Sequence, residues 1–176
     1  MERHEYPGKI FKCPRGWCCG EVRDDGLIPP PFLAQHDRRR LRRIGIPEET
    51  FLKKIDPESG RPYFQLGTGG CTGCNFFDPE SKMCTIYKFR PLDCRLFPLD
   101  IDIQENALVW IAYFCPCLPS DEDLKSFASY AERRILPLFM HDELWLYANL
   151  PNQLYEEGKW KIIRSVHLPK PTRAAD

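Results

Sequence analysis

Several features that would assign this chain of 176 residues to a special class of protein are absent from its sequence. It has no run of about eighteen apolar residues, so we expect no membrane span. The first residues, MERHEYPGKIFK, are charged throughout and lack an apolar segment, so we expect no signal peptide and a cytoplasmic location. Basic and acidic side chains balance at 25 each, so the net charge gives no reason to expect a nucleic acid or a membrane as partner.

Motifs that identify common enzyme classes are also absent. The sequence has no evident Ser-His-Asp set or paired carboxylates, and its GTGG segment lacks the spacing of a phosphate-binding loop. The four histidines lie away from every cysteine group, so we interpret them as surface residues. In the segment RRRLRR, over 38–43, arginines spread around most of a helix, and apart from Trp17 the aromatic residues are not interleaved with basic ones. We therefore do not expect nucleic acid as a partner.

Cysteine, in contrast, is abundant, with nine residues in three groups. The groups are CPRGWCCG, the region over 71–94, and FCPCLP, and no cysteine follows residue 117. Disulfides are rare in the cytoplasm, and an odd number of thiols would leave one over. We therefore interpret these thiols as metal ligands or as catalysts.

The central group has the spacing of a metal-binding knuckle. Cys71 and Cys74 form a C-x-x-C pair after two glycines, which allow a tight turn and let backbone N–H groups face sulfur. Cys84 and Cys94 are close enough in sequence to complete four thiolates, a set that selects zinc or an iron–sulfur cluster. A thioredoxin-like redox pair is the alternative, but a turn with proline follows where such a pair needs a helix.

The outer groups leave the number of metal sites open. Cys18 and Cys19 are adjacent and seldom chelate one zinc ion together, so they could serve two metals, or one could bind while the other packs. Cys13 and Cys115 each precede proline, as a ferredoxin ligand does. The candidate metal ligands are eight cysteines: Cys13, Cys18, Cys19, Cys71, Cys74, Cys84, Cys94 and Cys115.

The segment CNFFDPESKMCTIYKFRPLDCRLFP resembles the YkgJ-type cysteine-cluster family, whose members are described as zinc- or iron-chelating. The family pattern is a cysteine, then C-x-I-Y, then R-P-x-x-C-R-x-F-P. It is matched here by Cys74, Cys84, Thr85, Ile86, Tyr87, Arg90, Pro91, Cys94, Arg95, Phe97 and Pro98. The resemblance implies a zinc or iron–sulfur site, and some relatives, the flagellin lysine N-methylases, are enzymes.

The resemblance extends over about residues 13–119. The family has an N-terminal group that ends in two adjacent cysteines, as CPRGWCCG does, and a later C-P-G where this chain has C-P-C. Cys71 is an addition to the family pattern and could replace a ligand that the N-terminal group lacks.

Three residues near the cysteines are predicted to contribute to cofactor binding: Arg90, Arg95 and Tyr87. The two arginines flank Cys94, where cations offset the charge of thiolates; holding an anionic substrate is the alternative role. Tyr87, Phe89 and Phe97 are expected to form an apolar shell that keeps water from the site.

The expected fold class is α+β, a small cysteine-rich domain centred on the metal over 1–119 with a helical C-terminal extension over 120–176 packed on it. In the first part, apolar spacing predicts a helix that stops at Gly45 and a second short helix over 46–55. PYFQL predicts a strand, and strands over 99–103 and 107–114 predict a β-hairpin.

In the C-terminal extension, two helices are predicted. Ser120 is a good N-cap for the first, which acidic residues open and Pro137 ends or kinks. The second lies in the segment FMHDELWLYANL.

The first functional hypothesis is a protein that binds an iron–sulfur cluster, most simply [4Fe–4S], with a redox or modification-related role. Cys74, Cys84 and Cys94 are its best-supported ligands. The fourth ligand would be one of Cys18, Cys19, Cys71 or Cys115. The alternatives are a structural zinc module whose C-terminal helices face an unknown protein partner, and a cluster-containing, protein-modifying enzyme such as a lysine N-methylase.

Overall fold

The computed structural model describes residues 30–67, 74–78, 80–81, 83–114, 118–150 and 160–168. In these ranges, helices and small antiparallel sheets form the predicted α+β fold. None of the helices in these ranges is long and apolar enough to cross a membrane. The elements are α1 Gln35–Arg43, β1 Phe51–Ile55, β2 Pro62–Leu66, β3 Phe77–Asp78, β4 Met83–Cys84, α2 Leu92–Leu96, β5 Leu99–Gln104, β6 Ala107–Tyr113, α3 Asp121–Arg134, α4 His141–Asn149 and β7 Trp160–Ser165.

Helix α1 ends where the sequence predicts. It buries Asp37 and Leu41 on one side, and its basic residues occupy most of the remaining circumference. Gly45 follows the helix with φ +84°, a left-handed conformation that glycine adopts without strain. The predicted glycine stop is therefore confirmed.

The helix predicted over 46–55 is wrong. A single 3₁₀ turn, Glu48–Thr50, leads into β1, which pairs antiparallel with β2. The turn between the two strands is held by Asp56, whose Oδ2 accepts the Ser59 backbone N–H at 2.9 Å, and by Gly60 with φ +68°. Strand pairing overrides the weak helical preference of this segment, which includes two lysines.

Strands β5, β6 and β7 form one antiparallel sheet with β6 in the centre. The predicted β5–β6 hairpin is confirmed, and it turns at Glu105 and Asn106, whose φ angles of 49° and 61° fit a type I′ turn. All of β6 except its first residue is buried. Strand β7 lies in the segment for which only helices were predicted.

Helices α3 and α4 pack on this sheet, and both predicted helices are confirmed. Ser120 caps α3 as expected, since its Oγ accepts the Asp123 N–H at 3.2 Å. Leu124, Ala128 and Ala131 form the buried stripe of α3. They belong to the same core as side chains of α2, β5, β6 and α4. The boundary at residue 119 stays a prediction.

Candidate metal centre

Cys74 and Cys84 lie at the open end of one short hairpin. The Phe77 N–H donates to the Cys74 carbonyl at 3.0 Å, which closes a tight turn, and Phe77 is then paired with Cys84 across β3 and β4. The Phe76 carbonyl accepts the Thr85 N–H at 2.8 Å. A turn brings its end Cα atoms within about 7 Å, and paired residues lie about 5 Å apart, so the two cysteine Cα atoms lie within roughly 12 Å.

The tip of this hairpin is fixed by an aspartate. The carboxylate of Asp78 accepts the backbone N–H of Glu80 at 3.0 Å and that of Ser81 at 3.3 Å. The Ser81 hydroxyl also donates to it, and these bonds lower the pKa of Asp78. The long sequence gap between Cys74 and Cys84 is therefore closed by local hydrogen bonds rather than by a large apolar core.

Cys94 lies on the short helix α2, which is tied to the core. Leu92 and Leu96, four positions apart, are fully buried on one side of the helix. The Leu92 N–H donates to Asp37 Oδ2 at 3.1 Å, and Asp93 Oδ2 accepts the Phe32 N–H at 2.7 Å. Two helical residues turn the chain by about 200°, so Cys94 lies opposite the buried face.

The three described thiols are all half-buried. Cys74 packs against the small core of Leu33, Leu41, Phe51 and Leu66. Soft thiolate donors on hydrogen-bonded backbone fit zinc or an iron–sulfur cluster as part of its ligand set.

Cys74, Cys84 and Cys94 are not brought together into one ligand group in the described part of the chain. Within the ranges that the structure describes, no group of three or more His, Cys, Asp or Glu side chains could hold a metal ion. The remaining predicted ligands lie outside the described residues: Cys13, Cys18, Cys19, Cys71 and Cys115. The eight-cysteine ligand set therefore stays a prediction; of its members, only Cys74, Cys84 and Cys94 lie within the described residues.

The predicted cofactor-binding residues lie just before α2 and on it. The Arg90 guanidinium carbon lies 4.0 Å from the centroid of the Tyr87 ring. The Tyr87 side chain is 42% exposed, so its ring contacts solvent as well as Arg90. Burial lowers the pKa of Arg95, and the nearby cations Arg40 and Arg90 lower it further. Contact of these residues with a cofactor stays a prediction.

A buried carboxylate, Asp37, lies beside this cationic region. Burial raises its pKa to about 7, against the lowering effects of its hydrogen bonds and of Arg40 and Arg95. Its second oxygen, Oδ1, is buried without a hydrogen-bond partner in the described part of the chain. The burial of Asp37, the one acidic residue of this arginine-rich helix, was not predicted from the sequence.

Two carboxylates, Asp93 of α2 and Asp100 of β5, contact the same tyrosine hydroxyl. The sequence did not suggest this pair. The Tyr147 hydroxyl contacts Asp93 Oδ1 at 3.1 Å and also Asp100 Oδ1, and the Tyr113 hydroxyl donates to Asp100 Oδ2 at 2.7 Å. One hydroxyl proton cannot serve two carboxylates, so the second contact needs a protonated acid. Burial, followed by the charge of Asp100, raises the pKa of Asp93 accordingly. This network joins α2, β5, β6 and α4 beside Cys94.

Comparisons with known proteins agree with a metal centre. The family model described as "CxxCxxCC: Putative zinc- or iron-chelating domain" matches residues 11–116, more than half of the chain. A 47-residue segment is 38% identical to a protein of Methanocaldococcus jannaschii named "Uncharacterized protein MJ0661". That alignment covers 24% of this chain and 26% of the relative, so the chain spans about a quarter of the relative's length. No solved structure matches the chain.

Proposed function

We propose that this chain, which belongs to the CxxCxxCC family of zinc- or iron-chelating domains, binds an iron–sulfur cluster, most simply [4Fe–4S]. The supporting observation is the placement of three half-buried thiols, Cys74, Cys84 and Cys94, on backbone held by hydrogen bonds. The chain has nine cysteines, more sulfur donors than one zinc ion can use.

Four thiolates would hold the cluster: Cys74, Cys84 and Cys94, with Cys18, Cys19, Cys71 or Cys115 as the fourth. A bound cluster of this kind supplies one-electron chemistry, with a potential set by its surroundings. Arg90 and Arg95, close to Cys94 in the chain, are suited to offset the negative charge of such a thiolate set.

Oxygen-free purification followed by absorption spectroscopy tests the metal. We expect a broad band near about 400 nm, together with iron and acid-labile sulfide in equal amounts. A colourless protein that contains zinc and no iron would overturn the proposal.

Two matched variants test the ligands. Cys94→Ala removes a proposed ligand, whereas Cys117→Ala removes the one cysteine that is not assigned to the metal. We expect Cys94→Ala to lose most of the iron and the band, and Cys117→Ala to keep both. Equal metal content in the two variants would refute the assignment of Cys94.

The second candidate function is a structural zinc module that presents its C-terminal helices to a protein partner. The tight turn that the Phe77 N–H closes on the Cys74 carbonyl supports it, because it holds one cysteine of the C-x-x-C pair, a spacing typical of structural zinc sites. This function predicts a colourless protein with zinc, and a chelator should unfold its metal domain. Elemental analysis before and after chelation distinguishes it from the iron–sulfur proposal.

A further inference from the structure

One face of the molecule combines guanidinium groups with exposed aromatic rings. We call it the arginine–aromatic face, and define it by Arg39, Arg40 and Arg43 of α1 and by the segment 87–90, whose residues are Tyr87, Lys88, Phe89 and Arg90. On α1, Arg43 is a neighbour of both Arg39 and Arg40, four and three residues away, and the three positions lie within about 100° of the helix circumference. That side differs from the one that buries Leu41.

The two elements of this face are joined through Arg40. Its Nη2 donates to the Lys88 carbonyl at 3.0 Å, and its guanidinium carbon lies 5.9 Å from the centroid of the Phe89 ring. Arg90 lies over Tyr87 in the same manner, at 4.0 Å. Each of the two rings therefore has a guanidinium near it, although the sequence does not interleave cations and rings over a long segment.

Both rings remain accessible to a ligand. The Tyr87 side chain is 42% exposed and that of Phe89 is 37% exposed. A guanidinium covers at most one face of a ring, so part of each residue's surface remains in contact with solvent.

In the described part of the chain, the carboxylate near this face is that of the buried Asp37, which interacts with Arg40 but forms no ion pair with it. Arg42, on another side of α1, is paired with Glu48 at 3.3 Å, but no such ion pair neutralises Arg39, Arg40 or Arg43 there. The Nε of Arg90 is buried and has no hydrogen-bond partner among the described residues. Clustered cations of this kind raise the local concentration of anions.

We propose that the arginine–aromatic face binds single-stranded nucleic acid, with phosphates on its arginines and bases stacked on Tyr87 and Phe89. Aromatic side chains beside a basic groove are the usual means of binding single strands without sequence preference. Two rings two residues apart offer places for neighbouring bases, whereas a mononucleotide would use one. An acidic peptide could use the arginines but would gain little from the two rings.

The test measures binding of the metal-loaded full chain to a fluorescent single-stranded RNA of about twelve nucleotides by anisotropy. Arg39→Ala with Arg43→Ala removes two exposed arginines from the face, and Tyr87→Ala with Phe89→Ala removes both rings. Arg133→Ala with Arg134→Ala is the matched control, because these two exposed arginines lie at the end of α3.

We expect each change on the face to weaken binding at least about tenfold, and the control to change it less than about twofold. Removing the two α1 arginines should also lower the slope of log Kd against log salt by about one to two units. Metal content measured in every variant separates a failure of this proposal from a failure of the metal proposal.

Several results would overturn the proposal. The first two are that the parent does not bind the RNA at low salt, or that the α3 control loses as much affinity as the variants of the face. The others are that free uridine monophosphate competes as well as the oligonucleotide does, or that the protein binds anionic vesicles or duplex DNA more tightly than the RNA. If the variant without the two rings does not fold, the variant without Arg39 and Arg43 still tests the proposal, because both of these arginines are exposed.

Discussion

Replacement of Glu132 by glutamine should destabilise the C-terminal core. The Glu132 carboxylate accepts four hydrogen bonds: from Trp110 Nε1 at 2.9 Å, from the His167 N–H at 2.7 Å, and from two Arg164 nitrogens at 2.7 and 2.9 Å. It thereby joins α3 to β6, to β7 and to His167, the second residue after β7. The Glu132 side chain is 9% exposed and that of Arg164 is 20% exposed.

The expected loss of stability follows from the hydrogen bonds and the charge that glutamine cannot supply. Its oxygen can still accept, but its NH₂ group faces donors, and Arg164 loses its counter-charge. Breaking a buried ion pair from one side costs about 3–5 kcal/mol. Because Arg164 keeps partial contact with water, we take the lower end, about 3 kcal/mol. In a chain of this size that corresponds to a fall in Tm of about 6–12 °C.

Urea denaturation followed by tryptophan fluorescence measures this change, since Trp110 lies inside the network. Glu49→Gln, at an exposed position in the 3₁₀ turn, is the control and should change the free energy of unfolding by less than about 0.5 kcal/mol. A loss below about 1 kcal/mol for Glu132→Gln would refute the ion-pair argument.

The pH dependence gives a second readout of the same pair. The hydrogen bonds from Arg164, His167 and Trp110 outweigh burial and hold the pKa of Glu132 below its usual value of 4.5. A carboxylate with a lowered folded-state pKa stabilises the fold above its unfolded pKa, and this stability is lost as pH falls through the folded value. The difference between parent and Glu132→Gln should therefore shrink below about pH 4.5.

Two further predictions concern Asp37 of α1 and Gly67, which directly follows β2. Burial raises the pKa of Asp37 from 3.8 to about 7, so its ionisation opposes folding as pH rises between these values. The free energy of unfolding of Asp37→Asn, relative to that of the parent, should therefore increase by up to about 4 kcal/mol between pH 4 and pH 8. Urea denaturation at several pH values measures this difference, and a difference that does not change with pH would contradict the argument. Gly67→Ala should cost about 1–3 kcal/mol, because its Cβ would lie 2.8 Å from the Thr50 carbonyl oxygen; an unchanged urea midpoint would show that the strand end can shift.

Elements with strong local signals were predictable from the sequence. Gly45 ends α1, Ser120 begins α3, and the β5–β6 hairpin turns at residues that tolerate positive φ. Each signal acts on the backbone within a few residues of itself, so no knowledge of distant contacts is needed.

Elements that depend on distant partners were not predictable. Strand β1 replaces a predicted helix because it pairs with β2, and β7 replaces part of a helical tail because it pairs with β6. Likewise, the contact of Tyr147 with Asp93 and Asp100 spans 54 and 47 residues of sequence. The cysteine spacing indicated the metal-chelating family, but spacing alone could not show how the thiols are supported.

The supports of the three described thiols differ in kind. Cys94 lies on a helix whose position is set by Leu92 and Leu96 in the main core and by the hydrogen bond from Leu92 to Asp37, none of which involves a cysteine. Cys74 and Cys84 lie on a hairpin of two paired residues per strand, held by its own turns and by the packing of Cys74, Phe76 and Ile86 against the small core. A two-stranded hairpin is at best marginally stable alone. A bound metal would therefore stabilise the hairpin by joining it to a helix that the core already holds in place.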